Sequence, residues 1–322
     1  MKRFWTTLAL FAAYQSWACC GVGAGGVRFL DQQDIVVWNH KTKTEHFIRK
    51  ANFEVEGKQM GFIAPSPTVP VLALADPVAF KDLEKMRPKP IDFSIGCSAG
   101  EYEDAAPASA APVEVAQIVD LGQYEATTLR STDPLALIKY LQKHGYNTSA
   151  DIESWTESYL KKKWYLTAFR LKAVERSAAM SPIRMSFKTD KPFFPYLVPS
   201  SNRAGNESRL RVFVLGAGVA SADAAGARLG SSDWNTPVPE NLRARLAQSL
   251  QLSIDDLAVA NHLTAWESIP FPSEATDDAY LSFSPPRPLW LDVGAYALVG
   301  FAGVYCYRRF RLARSNQKVA TD

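Results

Sequence analysis

The sequence predicts a mixed α+β fold, a largely antiparallel sheet with packed helices, followed by one C-terminal transmembrane helix. Two observations point there. Strand-like and helix-like segments intermix between residues 19 and 284 without the strict βαβ order of a parallel sheet. Residues 289–307, LWLDVGAYALVGFAGVYCY, are almost wholly apolar, and about 19 such residues can span a hydrocarbon core about 30 Å thick.

The elements follow in chain order. Residues 1–18 read as a secretory signal peptide. Lys2 and Arg3 supply a positive start, residues 8–14 an apolar centre, and Ser16 and Ala18 the small residues before a cut at Cys19. Ser16 stands where bacterial lipidation usually wants Leu, and a chain with its own span gains little from an acyl anchor. Residues 33–38 (QDIVVW) and 44–50 (TEHFIRK) read as a hairpin around 39–43. Residues 53–55 and 61–64 read as a second extended pair around Gly57. Pro65, Pro67 and Pro70 then impose extended backbone, and 76–86 reads as a short helix. Residues 101–112, EYEDAAPASAAP, form a flexible acidic loop.

A strand at 113–119 has its partner at 123–129. Asp133 then caps a helix, with Pro134 in its first turn, Leu135, Ile138 and Leu141 on one face, and Gly145 at its end. A second helix over 151–163 sets Ile152, Trp155 and Tyr159 on one side. Strands follow at 164–174, 183–187, 193–197 and 209–215, and Leu242, Leu246 and Leu250 stripe a further helix. Pro285, Pro286 and Pro288 make a stiff stalk of 285–288 before the span.

At the span, Trp290 marks one interface and Tyr305 and Tyr307 the other. Arg308, Arg309, Arg311, Arg314 and Lys318 follow directly, and positive charge beside a span stays cytoplasmic. The expectation is a single-pass cell-membrane protein with residues 19–284 outside the cytoplasm and 308–322 inside. Its first partner is then the lipid bilayer.

The formal charge is +3. Without Lys2, Arg3 and the tail, 29 basic residues face 32 acidic ones. The basic balance therefore belongs to targeting and orientation, and nucleic acid is not expected as a partner. Of four cysteines, Cys306 lies in the span. Cys19, Cys20 and Cys97 face an oxidising compartment, so Cys97 is expected to pair with Cys19 or Cys20.

Several blocks occur in order: the cysteine pair, VVWNHKTKTEHFIRKANFEVEGKQMGFIAPSPTVP, LGQYEATTLRSTDPLALIKYLQKHGY, PIRMSFKTDKPFFPYLVP and HLTAWESIPFPSEATDDAYLSF. Together they resemble the bacterial family called domain of unknown function 2330. The resemblance implies export and, often, a C-terminal span. It implies no activity and no site residues.

Five local patterns invite chemistry. Ser98, in Gly96-Cys-Ser-Ala-Gly100, matches the nucleophile elbow G-x-S-x-G, but the helix that motif requires is replaced by the acidic loop. A turn around a bridged Cys97 is the preferred reading. Gly216-Ala-Gly-Val-Ala-Ser221 resembles a dinucleotide turn, yet Ser221 replaces the third glycine, and a surface loop is preferred. His40, Glu45 and His46 flank the hairpin without the convergence a metal needs. No metal or cofactor is expected. His144, in the last turn of its helix, is explained by the helix dipole. Trp38, Trp155, Trp164, Trp234 and Trp266 could form a carbohydrate or peptide platform, but aromatics at strand and helix spacing are more often core, and Trp234, in the polar SSDWNTP loop, is the one to test for exposure.

The preferred functional expectation is an outward domain that binds an envelope partner or ligand without catalysis. The alternatives are an envelope serine hydrolase using Ser98, and a scaffold with no ligand.

Overall fold

Residues 35–38 are Ile-Val-Val-Trp, an unbroken apolar run rather than an alternating one. A strand reads this way when both of its faces are covered. Ile35 and Val37 point into one buried cluster and Val36 into another. In a computed structural model, which describes residues 20–24, 27–55, 59–88, 113–146, 148, 151–172, 177–179, 181–197, 209–222, 229, 231–270 and 277–286, this strand lies within the larger of two stacked sheets. The chain divides into two compact units, Met1–Ser284 and Pro285–Asp322. Only the first is described in detail, because residues 287–322 lie outside the described set. That set also excludes residues 1–19 and 89–112. The signal peptide, Cys19, Cys97, Ser98, the acidic loop, the span and Arg308, Arg309, Arg311 and Arg314 therefore fall outside it. Among the described residues, no helix is long and apolar enough to cross a membrane.

Among the described residues, the larger sheet has eight strands, seven along its path and one off it. β2 (Val27–Asn39) and β3 (Thr44–Val55) form the expected hairpin, longer than the sequence suggests. β10 (Ile183–Lys188) and β5 (Val71–Leu74) extend it on the β3 side. β12 (Arg209–Gly216), β15 (His262–Pro270) and β14 (Trp234–Pro237) extend it on the β2 side. β9 (Ser177–Ala179) pairs with the far end of β3. All pairs are antiparallel except β12 with β2.

The second sheet runs β1 (Cys20–Ala24), β4 (Gln59–Ser66), β8 (Tyr165–Leu171), β7 (Tyr124–Arg130) and β6 (Glu114–Leu121). The expected pairing of 53–55 with 61–64 is not made. β3 is paired on both sides there, with β2 and β9, so β4 joins β1 and β8 instead. Pro65 lies in β4 opposite Leu166 of β8, and among the described residues β1 pairs with β4 over Gln59 to Ile63. A third, small sheet joins β11 (Phe193–Phe194), β16 (Ala279–Ser284) and β13 (Val219–Ala222). β11 is only two residues long because Pro192 and Pro195 flank it without amide donors.

The layers follow from alternation. Val36, Phe47, Met185 and Val214 of the large sheet meet Phe62, Ala126 and Phe169 of the second in the central core. The outer face of the large sheet, with Ile35, Ile48, Phe213 and Leu263, is covered by α1 (Val78–Glu84), α4 (Glu240–Ser249) and α5 (Ile254–Val259). The outer face of the second, with Ile63, Leu129 and Leu166, is covered by α2 (Pro134–Lys143) and α3 (Ile152–Lys161). The order is helices, sheet, sheet, helices. The caps of α2 are those read from sequence: Asp133 accepts the Leu135 amide at 2.9 Å, and Gly145 takes φ +83°.

Candidate functional site

Two Lys/Thr-rich turns are brought together at one end of the large sheet. The β2–β3 turn supplies Thr42 and Lys43, and the segment leaving β10 supplies Lys188, Thr189, Asp190 and Lys191. They meet because Lys188 pairs with Thr44 in register. Lys188 Nζ donates to the Thr42 carbonyl at 2.7 Å and to Thr44 Oγ1 at 2.8 Å, while Lys43 Nζ pairs with Asp190 at 2.6 Å. Pro67 and Thr68, just after β4, close another side, and Thr68 accepts the Lys188 amide at 3.0 Å. Trp164 and Tyr280 complete an open cleft of about 520 Å³. Three lysines and one aspartate line it, so its charge is positive.

The cleft wall is fixed from behind. Trp164 packs on Phe193 at 4.7 Å and on Tyr159 at 5.8 Å between ring centres. Lys191 Nζ lies 5.1 Å from the Tyr280 ring centre, and Lys162 Nζ lies 5.2 Å from that of Trp164. Lys162 also bonds Asp277 at 3.1 Å and contacts Asp278 at 3.4 Å. Asp278 is wholly buried and accepts Tyr159 Oη–H at 2.7 Å. Burial pushes its carboxyl up to about 6, against the pull of Lys162 and Tyr159. Glu45 lies in the same interior and accepts the Phe193 amide at 2.9 Å. Burial holds it well above the ordinary carboxylate range, and the charge of Asp278 adds to the effect.

A second polar cluster lies on the opposite, helix-covered face of the large sheet. Ser186 and His46 are register partners on β10 and β3, and His46 Nδ1 is 2.8 Å from Ser186 Oγ. On the other side of the ring, Nε2 lies 3.5 Å from Asp256 Oδ2 of α5, at the outer limit of a hydrogen bond. Asn39 Nδ2 donates to the other Asp256 oxygen at 2.8 Å. His46 and Asn39 hold the Asp256 carboxyl down to about 2, with partial burial opposing them. Arg184, two residues from Ser186 on the same face, reaches the Leu250 carbonyl at 3.2 Å and also bonds that of Gln251.

The sequence-predicted candidates separate. Cys20 opens β1, while Cys19, Cys97 and Ser98 lie outside the described residues. Glu45 and His46 are neighbours on a strand and so point into different layers, and His40 stands exposed in the turn. Among the described residues, no group of three or more His, Cys, Asp or Glu side chains could hold a metal ion. His144 bonds the Tyr140 carbonyl through Nδ1 at 2.7 Å and stacks on the Tyr140 ring. The glycine-rich turn at 216–218 links β12 directly to β13, and no helix follows it. Gly216 is required there because a Cβ would stand 2.0 Å from the Phe283 ring. Trp234, the tryptophan to test for exposure, is half-buried and donates to Glu267 at 3.0 Å, so it does not stand free as a platform. Of the cleft residues, only Trp164 is singled out by the sequence as a candidate for binding, and its lysine and threonine neighbours are not. The available signal was two short Lys/Thr turns, KTKT and KTDK, each at the end of a strand.

Fold and cleft together define a layered, two-sheet α+β domain with an open cationic pocket backed by aromatic rings. The chain belongs to the bacterial family described as uncharacterized protein conserved in bacteria (DUF2330), whose pattern matches residues 12–280. No curated protein matches it significantly. Among solved structures, it is similar to baculovirus P35, at 10% identity, covering 66% of this chain and 70% of that one with a TM-score of 0.37. A mutated baculovirus P35 after caspase cleavage is also similar, at 10% identity, covering 62% and 67% with a TM-score of 0.34.

Proposed function

We propose that this is a single-span cell-envelope protein whose outward domain binds an acidic glycan in the Trp164–Tyr280 cleft. The envelope part rests on the apolar run at 289–307 and the arginines that follow it. The binding part rests on one observation, three lysines and two aromatic rings converging on a single open pocket. Aromatic rings accept the apolar edges of sugars, and ammonium groups pair with carboxylates. Among the described residues that line it, Thr42, Thr68 and Thr189 supply hydroxyls that can bond a sugar's own hydroxyls.

The test is titration calorimetry of the full chain in detergent with a hexuronic acid oligomer and a neutral oligomer of equal length. The acidic oligomer should bind, and loss of Lys43 and Lys191 together should weaken it about tenfold, the scale of one charged hydrogen bond. Equal binding of both oligomers, or none of either, would overturn the reading. Both lysines are solvent-exposed, so their removal should leave the melting temperature unchanged.

A further inference from the structure

The Ser186–His46–Asp256 cluster has the connectivity of a nucleophile, a base and a group that orients the base. The serine hydroxyl is within hydrogen-bond reach of one ring nitrogen, and a carboxylate faces the other. Proton placement follows from these partners. Asp256 is ionised, so the ring proton belongs on Nε2 facing it, which leaves the Nδ1 lone pair to accept the Ser186 hydroxyl proton. The ring is held on three sides: it is nearly wholly buried, it is paired across the strands, and Asn39 fixes the carboxylate it faces.

The nucleophile itself stays reachable. Ser186 is only half-buried. Its register partner on β5 is Val71, which shares its face and is 66% exposed. A ligand can therefore approach over the β5 edge, with an apolar contact waiting beside the hydroxyl. Arg184 adds a guanidinium on the same face.

We propose that Ser186 is an activated nucleophile, with His46 as its base and Asp256 as a positioning residue, and that it accepts the acyl group of a carboxylic ester. In the first step, a bond forms from Oγ to the carbonyl carbon while the hydroxyl proton moves to His46 Nδ1. The bond to the alcohol then breaks, and the alcohol leaves with that proton. Water repeats the sequence on the acyl-serine, releasing the carboxylic acid and restoring the hydroxyl. Ser186 does not line the glycan cleft, so this activity stands or falls independently of the ligand proposed there.

The experiment is labelling of the folded full chain with an alkyl fluorophosphonate, in which an O–P bond forms and fluoride leaves. One adduct should appear, and peptide mapping should place it on Ser186. Ser186→Ala should abolish it, and His46→Ala should slow it about a hundredfold, the low end for a general base. Asp256→Asn should slow it while Asp256→Glu restores part of the rate, with melting temperatures followed alongside. The mapping uses the native protein, so it decides the question even if a variant misfolds. No adduct on folded protein, an adduct on another serine, or undiminished labelling of a folded His46→Ala chain would overturn the proposal.

Discussion

Asp278 shows what a single buried charge does in this interior. It is enclosed completely, and its partners Tyr159 and Lys162 offset only part of the cost of removing a carboxylate from water. Its pKa rises from 3.8 to about 6. The native state therefore keeps a proton that the unfolded chain has already released between those values, and stability is lost as pH rises through that window. At about 1.36 kcal/mol per unit, the loss is roughly 3 kcal/mol. Asp278→Asn should remove that slope, so urea melts of the two chains between pH 4 and 6.5 should diverge. Parallel pH profiles would refute the assignment. Such residues are hard to read from sequence because burial is a property of distant layers. Ser186 is the same case: its partner His46 is 140 positions away, and nothing beside either residue announces the contact.

Elements whose instructions are local are the ones the sequence states plainly. The helix α2 carries its cap, its proline and its closing glycine within a dozen residues, and the apolar face of α3 is written in Ile152, Trp155 and Tyr159. Asp133→Ala should cost about 1 kcal/mol by leaving the Leu135 amide without its acceptor, while Asp133→Asn, which keeps an acceptor, should cost less. The measurement is the urea midpoint at constant m. Strand existence was legible too, from the apolar runs of β2, β8, β10 and β12. Strand partnership was not. The turn around Gly57 suggested a hairpin, but β4 joins β8, where the Gly61 position lies so close that a Cβ would stand 2.4 Å from the Phe169 carbonyl oxygen. Short elements such as β14 and α5, four and six residues long, gave too few periods to register.

The whole molecule joins this layered domain to a segment whose composition suits lipid. If the arginines after residue 307 stay inside, protease added to spheroplasts should attack the large domain and spare a tag placed after Asp322. A lost tag with an intact domain would reverse the orientation. The same scale gives the one parallel pair its meaning. β2 emerges early, and β12, its neighbour on the open side, begins only at Arg209. Until then, the hairpin of β2 and β3 offers a bare row of amides and carbonyls to anything nearby. Synthesis delivers the matching strand late, so assembly of the large sheet is slow by construction. A chain exported before folding would have to pass through that stage outside the cell's main pool of chaperones, and the vulnerable species is the half-built sheet rather than the finished one.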